Sequence, residues 1–236
     1  MKFIFSLMIL ALLSPVFGSN KIYVIHGYGS AKVVMRKIDK SLKSEHFITE
    51  NYGYNSMSED LDTLGKHLYL NIKKSGVDTI SFVTHSMGAL VVRSMLQYSN
   101  EDKTFPIIFR IVMIAPPNHG AEIADFYARF GILERLLGPN IAHMKTDSGS
   151  YANRLPVPVK SEVGIIIGIR GKENGYNPFI NGDNDGLLTP ERTRLGIEKD
   201  VAIIKDEHSL LTQNKKVRKL VVEFLKSGTF ISKDKN

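Results

Sequence analysis

With 236 residues, 43% of them hydrophobic and 23% charged, the chain is long enough for one well-buried core and too short for two ordinary domains. It has no cysteine, which excludes disulfides and a lipid-modified amino-terminal cysteine. A formal charge of +7 favours anionic surfaces, but no recognised nucleic-acid motif or aromatic-interleaved basic stripe accompanies it, so no nucleic-acid partner is expected.

Residues 1–19 stand apart. Met1-Lys2 makes a short positive end, Phe3 to Leu13 is apolar apart from Ser6, and Pro15-Val16-Phe17-Gly18-Ser19 supplies a cleavage region with small residues. The pattern predicts a secretory signal cut after Gly18. A permanent span needs about 20 apolar residues, and this stretch is shorter and interrupted by Pro15. The expectation is therefore a secreted or periplasmic protein, with anchoring by an uncleaved signal as the alternative.

A single domain is expected over residues 20–231, with 232–236 a frayed tail. Within it, apolar strand-like runs alternate with amphipathic stretches. Lys21 to His26 reads as a strand, and Ser30 is placed to cap a helix with Val34, Ile38 and Leu42 on one face. Phe47 to Tyr52 reads as the next strand, after which Ser58 caps a helix that turns Leu61, Leu64, Leu68 and Ile72 inward. Strands follow at Asp78 to Val83, Ile108 to Ala115, Val163 to Arg170 and Val201 to Lys205, with a helix over Met87 to Tyr98 and a closing helix over Gln213 to Lys226. Such alternation demands right-handed crossovers and a mostly parallel sheet covered on both faces. The basic run Lys215-Lys216-Val217-Arg218-Lys219 reads as the solvated face of the closing helix, because Val217, Leu220, Val221 and Phe224 recur at helical spacing behind it. Its alternative role is peripheral contact with anionic lipid head groups.

Thr84-His85-Ser86-Met87-Gly88 places one serine at a strand-to-helix turn, where a hydroxyl points out of the end of the sheet and a glycine lets the following helix approach closely. Thr84 stands where the G-x-S-x-G pattern has its first glycine. A serine hydroxyl needs a base within reach and an acid to orient that base. Asp185 and His208 each follow a strand-like run, and in a parallel sheet the loops after the strands share the carboxyl edge, so Ser86, Asp185 and His208 can converge. Asp183, two positions before Asp185, competes for the acid's role, and His119 for the base's.

Together with Val24-Ile25-His26-Gly27-Tyr28-Gly29, Ala115-Pro116-Pro117-Asn118-His119-Gly120, Asn184-Asp185-Gly186-Leu187-Leu188 and His208-Ser209-Leu210-Leu211, the serine turn resembles the α/β-hydrolase superfamily, most closely its compact bacterial lipases and esterases. The resemblance covers Lys21 to Ser227. It implies the α/β-hydrolase fold with a minimal six-stranded sheet in the order 2-1-3-4-5-6. It also implies Ser86 as nucleophile, His208 as base and Asp185 as acid, the last because Asn-Asp-Gly-Leu matches the family pattern. An oxyanion hole would come from the backbone N–H groups of Tyr28 and Met87, leaving both side chains free to line the acyl pocket. His26 and His85 belong to recurrent family turns and take packing or local hydrogen-bonding roles, while His46, His67 and His143 stand outside any constellation. The stretch 116–162 is too long for a simple connection and sits where related lipases carry a cap or lid. Its apolar residues Phe126, Tyr127, Phe130, Ile132, Leu133, Leu136 and Leu137 either face the core or line the mouth of the site.

The expected function is an exported serine ester hydrolase acting on small-molecule or lipid esters without a cofactor or metal. Acyl transfer through the same triad and a non-catalytic exported binding protein are the alternatives. Oligomeric state is not encoded in any pattern of the chain.

Overall fold

The computed structural model describes residues 20–129 and 137–230. The expected signal, the tail and Phe130, Ile132, Leu133 and Leu136 lie outside those residues. Six strands, β1 (Asn20–Ile25), β2 (Ile48–Tyr52), β3 (Thr79–His85), β4 (Ile107–Ile114), β5 (Glu162–Ile169) and β6 (Asp200–Lys205), form one sheet in the order β2-β1-β3-β4-β5-β6. Every neighbouring pair is parallel.

The four inner strands read as largely apolar runs because both faces of the sheet are covered there, whereas the edge strand β2, Ile-Thr-Glu-Asn-Tyr, has no buried residue. Along β1, Tyr23 and Ile25 enter one core and Ile22 and Val24 the other, as the two-residue period of a strand requires. Helices α2 (Leu61–Lys73) and α3 (Gly88–Ser99) fill the first core. Helices α1 (Arg36–Ser44) and α5 (Lys215–Ser227) fill the second, and α4 (Glu122–Ala128) belongs to the insertion between β4 and β5. That insertion adds single helical turns at Asn140–His143 and Tyr151–Arg154.

Three helix starts differ from the sequence reading. Leu61, Leu64, Leu68 and Ile72 are all buried as expected, but the cap of α2 is Asp60, whose carboxylate accepts from the Thr63 N–H at 2.9 Å, not Ser58. Ser30 caps nothing. Its Oγ donates to the Gly27 carbonyl at 2.9 Å, and a 3-10 turn, Lys32–Met35, precedes α1. The closing helix starts at Lys215, where Asn214 accepts from the Lys216 N–H at 2.8 Å after a separate 3-10 turn, Leu211–Gln213. A cap contributes about 1 kcal/mol, whereas each fully buried aliphatic side chain contributes about 2 kcal/mol. Packing therefore fixes where the helices lie and local hydrogen bonding only where they begin.

Candidate active site

Ser86 joins β3 to α3 with φ +52°, in the left-handed region that costs a residue with a Cβ about 1–2 kcal/mol. The turn is over-determined by its surroundings. The Ser86 N–H donates to Ile114 O of the neighbouring strand at 2.9 Å, and Ser86 O accepts from the Ala89 N–H at 3.0 Å. A Cβ on Gly88 would stand 2.6 Å from His26 O and 2.8 Å from Ile25 O, so only glycine lets α3 start against the end of β1. Likewise a Cβ on Gly27 would meet Ser86 Cβ at 2.8 Å, which puts the His26-Gly27-Tyr28 turn directly against the serine.

That turn is itself fixed. The His26 ring is buried, stacks on Tyr54 with centroids 4.2 Å apart, and its Nδ1 donates to Gly27 O at 2.9 Å, while the Tyr54 hydroxyl donates to His26 O at 2.6 Å. Burial lowers the His26 pKa and keeps the ring neutral. Met87 directly follows the serine and Tyr28 directly follows Gly27, and the N–H of neither donates to a backbone carbonyl of the described residues. The Met87 side chain departs from expectation: it is fully buried in the α2–α3 core rather than lining an acyl pocket. A residue one position past a sharp turn starts the helix, and here that helix buries its first turn all round.

On the far side, Asp185 and His208 are brought together. The His208 Nδ1–H donates to Asp185 Oδ2 at 2.7 Å, with both side chains nearly inaccessible. Asp185 Oδ1 accepts from the N–H groups of Leu187 at 3.0 Å and Leu188 at 3.1 Å, and the His208 N–H donates to the Asp185 carbonyl at 2.9 Å. A carboxylate is acceptor only, so this arrangement puts the proton on Nδ1 and leaves the Nε2 lone pair as the ring's acceptor. His208 Nε2 is buried and has no hydrogen-bond partner among the described residues. Ser86 and His208 line one cavity of about 400 Å³, whose walls include Tyr28, Ile123, Tyr127, Met144 and Leu188.

The α/β-hydrolase fold is what comparison with solved structures returns, although no protein-family model and no curated protein matches the sequence. The mature lipase BlEst2 of Bacillus licheniformis superposes with a TM-score of 0.67 at 18% identity, over 91% of this chain and 94% of that one. The lin2722 product of Listeria innocua gives 0.62 at 17% identity, over 92% and 96%. Phospholipase PlaB of Legionella pneumophila gives 0.56 at 15% identity, over 74% of this chain and 45% of its own. This chain has the α/β-hydrolase fold.

Within that fold the competing residues take other places. Both carboxylate oxygens of Asp183 accept backbone N–H groups at 2.9 Å, from Arg170 and Gly171, closing the turn after β5. The His119 ring bonds Asn153 Oδ1 at 2.8 Å and lies off the cavity wall. His67 pairs with Glu59 at 2.9 Å, His143 stacks on Tyr151 and His46 is exposed. His85 has a more pointed position. Its Nε2–H donates to the His208 carbonyl at 3.0 Å, its Nδ1 is buried without a partner among the described residues, and its ring lies 4.9 Å from that of His208. Burial, and then the neighbouring His208 charge, push its pKa down to about 3.

Of the insertion's apolar residues, Tyr127 lines the cavity, Leu137 packs against the core and Phe126 is 45% exposed. Polar residues unremarked in the sequence hold this segment down. The buried Arg93 guanidinium donates to Asn118 O at 2.8 Å, Leu155 O at 2.7 Å and Pro156 O at 3.1 Å, gathering both ends of the insertion onto α3. Burial lowers its pKa to about 10, which still leaves it charged at neutral pH. Asn140 Nδ2 donates to Ser56 O and Glu59 O, each at 2.8 Å, and the Tyr28 hydroxyl donates to Leu137 O. The available signal was an arginine inside the run Ala89 to Leu96, which is apolar apart from Arg93 and Ser94 and has no outward face to occupy.

Proposed function

We propose that the protein is an exported serine carboxylic ester hydrolase, a lipase or esterase working through an acyl-enzyme. The observation that carries this reading is the buried Asp185–His208 pair, whose His208, with Nε2 uncommitted, lines the same cavity as the strained Ser86. As Ser86 Oγ attacks the ester carbonyl carbon, His208 Nε2 takes its proton and Asp185 stabilises the imidazolium. The tetrahedral oxyanion is held by the N–H groups of Tyr28 and Met87, each worth about 3 kcal/mol. His208 returns the proton to the departing alcohol oxygen. Water then attacks the acyl-enzyme, giving its proton to His208, and the acid leaves with Ser86 restored.

The walls of the cavity, with Ile123, Ala124, Ile141 and Met144, suit an apolar acyl group. A second groove of about 450 Å³ touches the other side of His208 and is lined by Tyr176, Asn177, Glu207 and Ser209. Asp185 also lines that groove, so it lies on the Nδ1 side of the ring, away from the Nε2 that protonates the leaving oxygen. Structural neighbours described as a lipase and a phospholipase favour lipid esters.

Hydrolysis of p-nitrophenyl esters from acetate to palmitate by wild type and Ser86→Ala tests the reading. Ser86→Ala should lose about 10⁴-fold or more in kcat with its melting temperature retained, and wild-type rates from Ser86→Ala would refute the assignment. Analysis of products with an added acceptor alcohol separates hydrolysis from acyl transfer.

A further inference from the structure

Nearly all of the chain's net charge lies on one face. The span of α1 to Glu45 carries Arg36, Lys37, Lys40 and Lys43, and α5 carries Lys215, Lys216, Arg218, Lys219 and Lys226. These nine cations stand against three acids, Asp39, Glu45 and Glu223, a net of +6 in a chain whose formal charge is +7. The two helices pack side by side over the same core. The three acids are already engaged, Asp39 with Lys43 at 2.8 Å, Glu45 with Lys226 at 2.5 Å and Glu223 with Lys219 at 3.8 Å. Arg36, Lys37, Lys40, Lys215 and Lys216 are exposed and make no ion pair among the described residues. A groove of about 600 Å³ runs between the helices, lined by Ser41, Ser44, Lys215, Lys216, Lys219 and Val222.

Self-repulsion on such a face opposes folding unless something anionic lies against it. Its position says what. A helix returning from a parallel strand starts at the carboxyl edge, so the first turns of α1 and α5 stand at the edge that carries the candidate site. The 3-10 turns that introduce them meet there, with Gln213 Nε2 donating to Val34 O at 2.9 Å. Val33 in the first turn and Leu210 just before the second are 56% and 48% accessible, while Val34 and Thr212 line the cavity of Ser86. Cations, apolar side chains and the mouth of the site thus share one rim.

We infer that this rim and the α1–α5 face dock the protein on an anionic lipid bilayer. A polyanion such as nucleic acid would use the cations but gain nothing from Val33 and Leu210, whereas the head-group boundary takes both. Adsorption stands on charge and topology alone; that it presents a working site to the bilayer rests on the hydrolase reading above.

Sedimentation of the full chain with phosphatidylglycerol-containing and pure phosphatidylcholine vesicles tests this, the latter revealing any adsorption through apolar segments alone. Each Lys or Arg near an anionic leaflet strengthens adsorption about fivefold. Lys37→Glu, Lys40→Glu, Lys215→Glu and Lys216→Glu combined should therefore weaken binding to the anionic vesicles by at least about 100-fold. Glutamate in the first turn of α5 is favoured by the helix dipole, which protects the fold. Lys66→Glu, Lys74→Glu, Lys103→Glu and Lys160→Glu, exposed residues on other elements, make the same change in charge and should leave most of the binding intact. Wild type that ignores phosphatidylglycerol, equal losses in both variants, or retention on heparin without vesicle binding would each overturn the inference. Hydrolysis of a soluble short-chain ester by all three proteins reports separately on the catalytic reading, so the two can fail independently.

Discussion

The turn that carries Ser86 and the insertion between β4 and β5 bound the same cavity by opposite means. The turn is held by main chain and by the absence of side chains: a bond from Ser86 N–H to Ile114 O, and glycines at 27 and 88 where a Cβ would clash. The insertion is held by buried polar side chains reaching across the sequence, Arg93 to Asn118, Leu155 and Pro156, and Asn140 to Ser56 and Glu59. A single strained conformation is best fixed by rigid neighbours that leave no alternative. A segment spanning distant parts of the chain needs directional anchors, since apolar contact alone does not specify where it rests.

That contrast can be broken in order of effect. Asp185→Asn keeps the shape of the His208 contact but favours the wrong tautomer, and kcat should fall about 10⁴-fold. Asp183→Asn should keep kcat within about tenfold and cost about 1–2 kcal/mol in urea unfolding, as expected for a turn that loses charged acceptors. A larger kinetic loss from Asp183→Asn would exchange the two roles.

Arg93→Met removes the anchor without touching the turn. Two buried carbonyls and the half-buried one of Pro156 lose their donor, so stability should fall by about 3 kcal/mol. Ester KM should rise more than kcat falls, because the wall of the cavity loosens while the serine turn stays as it was. Equal KM values for wild type and variant would show that the insertion is held by its apolar contacts instead.

Acid should act on the turn. His85 binds its proton in the unfolded chain near pH 6.5 and in the native protein only near pH 3, so the unfolded state carries more protons between those values. Its contribution is fully present above about pH 6.5 and is lost as pH falls toward 3, at up to about 1.4 kcal/mol per pH unit. Denaturation midpoints measured across that window in wild type and His85→Gln should converge as the pH falls. The smallest effect belongs to Thr84, whose buried Oγ1 has no partner among the described residues. Thr84→Val removes that hydroxyl at nearly constant shape and should raise stability by about 1 kcal/mol, read as a higher urea midpoint at unchanged slope.

Much of this site was legible before the structure. Ser86, Asp185 and His208 each follow an apolar run, and the order of those runs along the chain already implied loops on one edge of a parallel sheet. The anchors were not legible in the same way. Arg93 and Asn140 act on carbonyls some 62 and 84 residues away, in segments with no shared pattern. The concentration of charge was half visible: the run at 215–219 stood out, but Lys37 and Lys40 joined it only when α1 packed beside α5.

Periodicity belongs to consecutive residues, so the sequence by itself determined the strands, the inward faces of the helices, the sheet order implied by its family resemblance and the loops on the carboxyl edge. What only the tertiary structure decided were local choices: Asp60 rather than Ser58 at the start of α2, and Met87 turned into the core. Each depends on the direction in which a side chain leaves the backbone. A shift of one or two residues in a turn reverses that direction, and it becomes definite only when the partner elements are in place.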